Sequence, residues 1–200
     1  MTPTHITKGE SDMGLFTKIP QDTFDNLQLE AGILLKTFDP SQPAAPADAD
    51  IITATTGGIS VSCVPTFSDF GEDIDNCPAN MMELKRIDSW EASMTFTGLA
   101  ATPDSIKLAL GAADTTGNKV VPRRNLDATK DFQTLWWVGD RADGGFAAVK
   151  IMNSLSTGGF SMQTTKSGKG QFSYTITGHV SIEAQDVVPM EFYVSESAGA

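Results

Sequence analysis

The sequence is poor in the residues that build most catalytic and metal centres. Its 200 residues include two histidines, His5 and His179, and two cysteines, Cys63 and Cys77. So few ligands exclude a His-rich metal site, and any Ser–His–Asp arrangement has to use His179. No apolar run approaches the ~18–20 residues that a membrane-spanning helix needs, and the first thirty residues hold no apolar core of the secretory kind. The expectation is a protein made and folded in the cytoplasm, where two cysteines are more often thiols, although their pairing stays open. Cys63 shares a strand face with Ile59 and Val61, the place of a small apolar residue. Bases are scarce as well: 14 Lys and Arg stand against 25 Asp and Glu, a net charge of -11. That excludes a broad basic face for nucleic acid or anionic membrane. The imbalance is concentrated in residues 1–100, with 15 acids and 5 bases, whereas residues 101–200 have 10 and 9.

What is present is apolar, turn-rich and patterned. Hydrophobic residues make up 40%, with 11 Phe and 3 Trp, too many for disorder. The length suits one domain over residues 1–200, able to bury roughly 70% of its unfolded surface, with residues 1–22 as a flexible N-terminal arm. The dominant period is two. In Ser89–Gly98, Trp90, Ala92, Met94 and Phe96 point one way and the polar residues the other. Gln171–Ser181 repeats this with Phe172, Tyr174, Ile176 and Val180, and Ile59–Val64 is a shorter version. Phe132–Val138 and Phe146–Met152 are apolar on both faces, as in strands covered from two sides, and Gly139–Gly145 turns one into the other. Gly32–Phe38 and Met190–Val194 predict a first and a last strand. One helix is expected after Thr102, an N-cap followed by Pro103 and Asp104. Its apolar stripe reads Ile106, Ala109, Leu110 and Ala113. The fold class is therefore all-β with one flanking helix, a β-sandwich or open barrel with long loops. Residues 39–56 and 66–84 form long inter-strand loops, and Leu110–Asp131 a third, more than a compact domain usually carries without purpose.

Motifs of chemistry fail one by one. Gly58-Ile59-Ser60-Val61-Ser62 has serine where a nucleophile elbow needs its second glycine. Around Gly168-Lys169-Gly170, Gln163 and the glycine after the lysine break the phosphate-loop pattern, and Ser173 ends the dinucleotide fingerprint. The echo of Thr56-Gly57-Gly58 in Thr157-Gly158-Gly159 reads as two tight turns into strands. Asp69, Glu72, Asp73 and Asp75 lack the spacing of an EF-hand loop and read as a solvated acidic loop. Nothing selects a pair of carboxylates for glycoside hydrolysis. Trp136 and Trp137 point to opposite faces of a strand. One fills the core, and the other is either core on the far side, an interface anchor, or a stacking platform of a carbohydrate-binding module.

Taken in order, several stretches resemble a known family. They are Ala31–Pro40 (AGILLKTFDP), Thr55–Asn80 (TTGGISVSCVPTFSDFGEDIDNCPAN), Ser89–Leu99 (SWEASMTFTGL), Thr102–Asp114 (TPDSIKLALGAAD) and Leu135–Gly159 (LWWVGDRADGGFAAVKIMNSLSTGG), followed by the closing strands to Val194. The pattern is similar to the major tail protein, or tail tube subunit, of long-tailed bacteriophages with non-contractile tails. Tubes of contractile tails and of phage-derived particles share that fold and remain an alternative. The resemblance implies a structural virion protein without enzymatic activity or cofactor, assembling as six-fold rings stacked into a hollow tube. Its implied partners are further copies of itself, a tape-measure protein, and tail terminator and distal tail proteins. It implies no membrane contact, and assembly in the host bacterial cytoplasm.

A conduit for DNA must not hold phosphates, so its wall is expected to be neutral or negative. The polar faces of the two alternating strands carry no Lys or Arg. Ser89, Glu91, Ser93, Thr95, Thr97, Gln171, Ser173, Thr175, Thr177 and Ser181 are therefore the candidate lumen face. Asp39, Asp48, Asp50, Asp69, Glu72, Asp73 and Asp75, on the two acidic loops, are candidates for contact between rings. Lys119, Arg123, Arg124 and Lys130 are their candidate basic counterpart, steering copies head to tail.

Overall fold

A computed structural model of the chain describes residues 19–20 and 22–195. The expected N-terminal arm, residues 1–22, lies almost wholly outside the described residues. The strands are β1 (Ile33–Leu35), β2 (Thr55–Asp69), β3 (Lys85–Gly98), β4 (Ala113–Thr116), β5 (Lys119–Pro122), β6 (Gln133–Asp140), β7 (Phe146–Ser156), β8 (Ser161–Gln163), β9 (Gln171–Gly178) and β10 (Met190–Ser195), and α1 (Pro103–Leu110) follows β3. The protein is all-β with one short helix and long loops. Eight strands form one antiparallel sheet in the order β1-β6-β7-β9-β3-β2, with β10 on β7 and β8 on β9, while β4 and β5 make a separate hairpin.

The sheet doubles back through β7. Its first part pairs with β6 and β10, and Ser154–Ser156 pair with β9. Between them Gln133 faces Ser154 while Leu135 faces Ile151, so β7 has one residue more than β6. Asn153 takes a left-handed φ of 45° there, as a β-bulge permits. Asn153 Nδ2 donates to His179 O at 3.0 Å, fastening the bulge to the chain leaving β9.

The folded sheet encloses its main core. Leu34, Ala92, Met94, Phe96, Leu135, Val149, Ile151, Phe172, Tyr174, Ile176 and Met190 meet there with Leu108 and Ala109 of the helix. A second cluster, Leu35, Trp136, Phe146 and Ala148 with Phe38, Ile51, Val138 and Tyr193, lies on the other face of the β1-β6-β7-β10 part. The 39–50 loop folds back along β1 through Lys36 N to Asp50 O (2.9 Å) and Ile52 N to Leu34 O (3.0 Å), so residues 36–52 lie along this part of the sheet. Trp136 is therefore a core residue, and Trp137 is partly buried against the main core. Trp136 is only 7% exposed; Trp137 packs against the main cluster and donates its indole N–H to Ala31 O at 2.9 Å. Gly32 admits this arrangement, because its φ is 68° and a Cβ there would lie 2.6 Å from Trp137 Nε1. Trp136 is too enclosed to serve as a stacking platform, and the Trp137 indole is engaged by Ala31 O.

Other expectations are corrected. β2 starts at Thr55 and runs to Asp69, so residues 55–56 and 66–69 are strand and not loop. Gly57 and Gly58, with φ of 76° and 83°, bulge between Thr56 and Ile59 and let the strand continue. At the far end, the hydroxyls of Thr66 and Ser89 hydrogen-bond at 2.6 Å and Ser68 donates to Asp88, so the hairpin zips beyond the core. Residues 110–131 contain β4 and β5. The helix buries Ser105, Leu108 and Ala109 instead of a face through Ile106 and Leu110. Ser105 explains the rotation: it completes a capping box with Thr102 and also donates to Ala100 O at 2.9 Å, drawing its side inward. Finally, β9 ends at Gly178, so His179 and Ser181 leave its polar face.

Candidate functional site

The two polar faces lie side by side. Ser93 pairs with Thr177, Thr95 with Thr175 and Thr97 with Ser173 across β3 and β9. The same row continues outward on both sides. Ser60 and Ser62 of β2 pair with Thr95 and Ser93, and Ser161 of β8 pairs with Ser173, Gln163 with Gln171. Hydroxyl-bearing side chains thus carpet four adjacent strands, with no charged residue between β2 and β8 at this level. Alternation alone identified the β3 and β9 residues. It was equally visible for Ser60 and Ser62 in Ile59–Val64, but the pairing that joins them to the face is non-local.

The remaining candidates are placed differently. Ser89 and Glu91 pair with Thr66 and Val64 on the hairpin stem, beyond the last β3–β9 pair. Ser181 sits in a turn bridged to Ala184. Of the acidic loop residues, Asp69 accepts from Gly71 N at 3.0 Å and Asn80 N at 3.2 Å, shaping the hairpin tip. Glu72, Asp73 and Asp75 are exposed at that tip. Asp39 accepts from the hydroxyl and backbone N–H of Ser41, which hold its carboxyl below the ordinary value, and Asp50 accepts from Thr37 Oγ1 at 3.2 Å. Asp48 is exposed.

The basic group does not act as one surface. Arg123 bridges Asp114 at 2.9 Å and the fully buried carboxylate of Asp131, which ties the β4–β5 hairpin to the chain before β6. Its guanidinium is engaged within the fold. Lys130 pairs with Asp127 at 3.2 Å. Hydrogen bonds from the Thr129 hydroxyl and backbone N–H, then Lys130, bring Asp127 down to about 2. Lys119 and Arg124 are exposed.

No arrangement of reacting groups accompanies these surfaces among the described residues. A cavity of about 240 Å³ beside α1 is lined by Lys36, Lys107, Lys130, Asp104 and two serines of β7. Those serines donate to backbone, Ser154 to Gln133 O and Ser156 to Ala109 O, both at 2.7 Å. His179 bonds Asn153 O at 3.2 Å and meets Phe132 edge-on. Among the described residues no three His, Cys, Asp or Glu are grouped so as to hold a metal ion, and no helix is long and apolar enough to cross a membrane. Cys63 and Cys77 are both free thiols, and burial pushes the Cys63 thiol up.

No protein-family model and no curated protein matches the chain. Among solved structures it is similar to a chain in the tail of an empty gene transfer agent particle, computed with helical refinement under C6 symmetry. The identity is 9% and the TM-score 0.42, over 84% of this chain and 96% of that one. It is also similar to a chain in the virion of a native gene transfer agent particle, at 10% identity and a TM-score of 0.41, over 82% of this chain and 95% of that one.

Proposed function

We propose that the protein is a structural subunit of a phage-type tail tube, self-assembling into stacked hexameric rings around a lumen that passes DNA. The observation that carries this reading is the hydroxyl face over β2, β3, β9 and β8. Serine and threonine offer short neutral dipoles and no fixed cation, so a sliding duplex meets no site that exchanges for its counterions. Glu91, on the same side of β3 further along the stem, adds repulsion. The free edges of β2 and β8 bound this face and invite edge pairing between identical copies, which isolated domains normally avoid. Resemblance to the tail tube family supplies the six-fold ring, the tape-measure protein as content before DNA release, and terminator and distal proteins at the ends. The tip of the β2–β3 hairpin and the 39–50 loop are the reading's contacts between rings. Tubes of contractile tails use the same physics and are the second reading.

Concentrating the purified protein and imaging it by negative-stain electron microscopy tests the proposal. Rings or hollow tubes with six-fold end views are the expected result. A protein that stays monomeric at millimolar concentration in both low and high salt contradicts it.

A further inference from the structure

The β2–β3 hairpin and the strands beside it form one ladder with two unlike ends. From the Asp69–Lys85 pair the register runs to Thr55–Gly98, and Gly98 pairs on with Phe172 of β9. β8 and β9 pair as far as Gln163 and Gln171, so the 164–170 loop that joins them lies beyond the Gly98 end. At about 3.3 Å per residue, the 14 residues of β3 hold that loop and the hairpin tip roughly 45 Å apart along the strands.

The tip end is acidic when every charge is counted. Residues 69–88 hold six acids (Asp69, Glu72, Asp73, Asp75, Glu83 and Asp88) against two bases, Lys85 and Arg86, a net charge of -4. Asp69 and Asp88 are engaged by their own hairpin, Asp69 by Gly71 N and Asn80 N and Asp88 by the Ser68 hydroxyl. Lys85 donates to Asn80 Oδ1 at 2.7 Å. Glu72, Asp73, Asp75 and Glu83 are exposed and enter no ion pair among the described residues. Phe70 and Met82 beside them are 56% and 81% exposed.

The other end is basic. From Gly144 to Ile182 the chain carries Lys150, Lys166 and Lys169 and no acid at all. Lys150 pairs with Glu191 at 2.9 Å. Lys166 and Lys169, both in the 164–170 loop, are exposed and enter no ion pair among the described residues. Phe160 and Met162, just ahead of the loop, are exposed as well. Of the acids in segments leading to this end, Asp104 pairs with Lys36 at 3.6 Å, and Asp48 and Asp50 belong to the loop that folds back along β1.

We propose that the acidic hairpin tip of one copy docks on the Lys166–Lys169 loop of the next copy along the tube. Three observations favour a second copy as the occupant. The unpaired charges are all negative on the tip and all positive on the loop, each beside exposed apolar side chains, the arrangement that steers and registers an interface. The two surfaces are different patches, so the contact is heterologous and does not close on itself as a two-fold dimer. They also stand at opposite ends of one ladder, so each copy offers one surface forwards and the other backwards, and the contact repeats from ring to ring. The lysines adjoin the hydroxyl face, since their loop joins two of its strands. Covered by carboxylates of the next copy, they offer no open cation to phosphate, and the end of the face is kept as neutral as its middle. The inference rests on the assembly reading above and names the residues of its contact between rings.

Charge reversal tests it in the full chain. Lys166→Glu with Lys169→Glu in one variant, and Glu72→Lys with Asp73→Lys in another, are expected to raise the concentration needed for tube formation by about tenfold or more. Sedimentation and electron microscopy read that loss. All four residues are exposed, so circular dichroism and Tm should stay at wild-type values. Combining the four substitutions is expected to restore tubes, because each surface again meets the opposite charge. If the separate variants form tubes like wild type, or the combination fails to restore what they lose, this contact is overturned while the assembly reading stands. If wild-type protein itself never assembles, both fall together.

Discussion

Phe96 stacks on Tyr174 with ring centroids 4.6 Å apart and 11° between the planes. The two residues pair across β3 and β9, on the core side of the strands whose opposite side pairs Thr95 with Thr175. One ladder therefore carries the best-packed aromatic contact of the core on one side and the neutral hydroxyl face on the other. Rigidity behind the face is what the proposed lumen wall would require.

In the proposed tube, substitutions at Thr95 and Thr175 would separate assembly from conduction. Replacing both with lysine leaves the core untouched, so Tm should stay within about 2–4 °C of wild type. If the face lines the lumen, tubes still form, but they retain DNA in a salt-dependent manner, read by co-sedimentation at 50 and 300 mM salt. Variant tubes that release DNA like wild type remove the lumen assignment.

The tyrosines predict an alkaline signature. The chain has two, Tyr174 and Tyr193. Burial raises Tyr174, and the hydrogen bond to Glu191 raises Tyr193, both from 10.0. A group whose folded value is raised contributes stability below its unfolded value and loses it as pH rises through the folded one. Absorbance at 295 nm should accordingly show little ionisation at pH 10 in the folded protein and half-ionisation there in urea. A folded protein titrating near 10 contradicts both environments.

Asp127 predicts the acid side. Its carboxylate, held down by Thr129 and Lys130 to about 2, contributes order above the unfolded value of 3.8 and loses it as pH falls towards the folded one. The Thr129 amide signal should therefore shift with a midpoint near 2. A midpoint near 3.8 indicates that the Asp127–Thr129 turn is not formed in solution.

Ser105 is the most connected small residue of the helix. Its hydroxyl accepts from Thr102 N and donates to Ala100 O, and its backbone N–H completes the capping box. Ser105→Ala should cost about 1–2 kcal/mol in urea unfolding. Ser105→Thr is a harsher test of packing, since the site is fully buried.

Hydrogen exchange reads the assembly directly. Residues 70–84 at the hairpin tip should exchange fast in the monomer and slow by about a hundredfold or more in tubes, because tube contacts would shield backbone that is otherwise open to water. The Ser93–Gly98 amides should be slow in both states. Equal exchange at the tip before and after assembly removes its role between rings.

Much of this fold was legible because a half-buried strand writes itself in alternation. Ala92, Met94 and Phe96, then Phe172, Tyr174 and Ile176, were assigned to the core correctly for that reason. Trp90 obeyed the same rule and is nevertheless exposed, because periodicity reports which side a residue faces and not whether anything covers that side. The hairpin stem went unread as strand since Ser68, Asp69, Lys85 and Arg86 carry no apolar alternation; cross-strand hydroxyls hold it instead. Arg123 looked like a surface cation in sequence, and only folding reveals Asp114 and Asp131 on either side of it. The adjacency of the two hydroxyl faces depends on β3 meeting β9, roughly eighty residues apart, and no local pattern encodes that.

The extra residue at the β7 bulge has a consequence for how such chains vary in length. Side chains alternate along a strand, so removing Asn153 would shift Ser154, Leu155 and Ser156 by one step and turn each to the opposite side. The Ser154 and Ser156 hydroxyls would then leave Gln133 O and Ala109 O, detaching the start of β6 and the helix from β7. Length changes should accumulate in the 39–50 loop and be purged at this single position. Position 153 thus works as a counting point that keeps two halves of one sheet in phase.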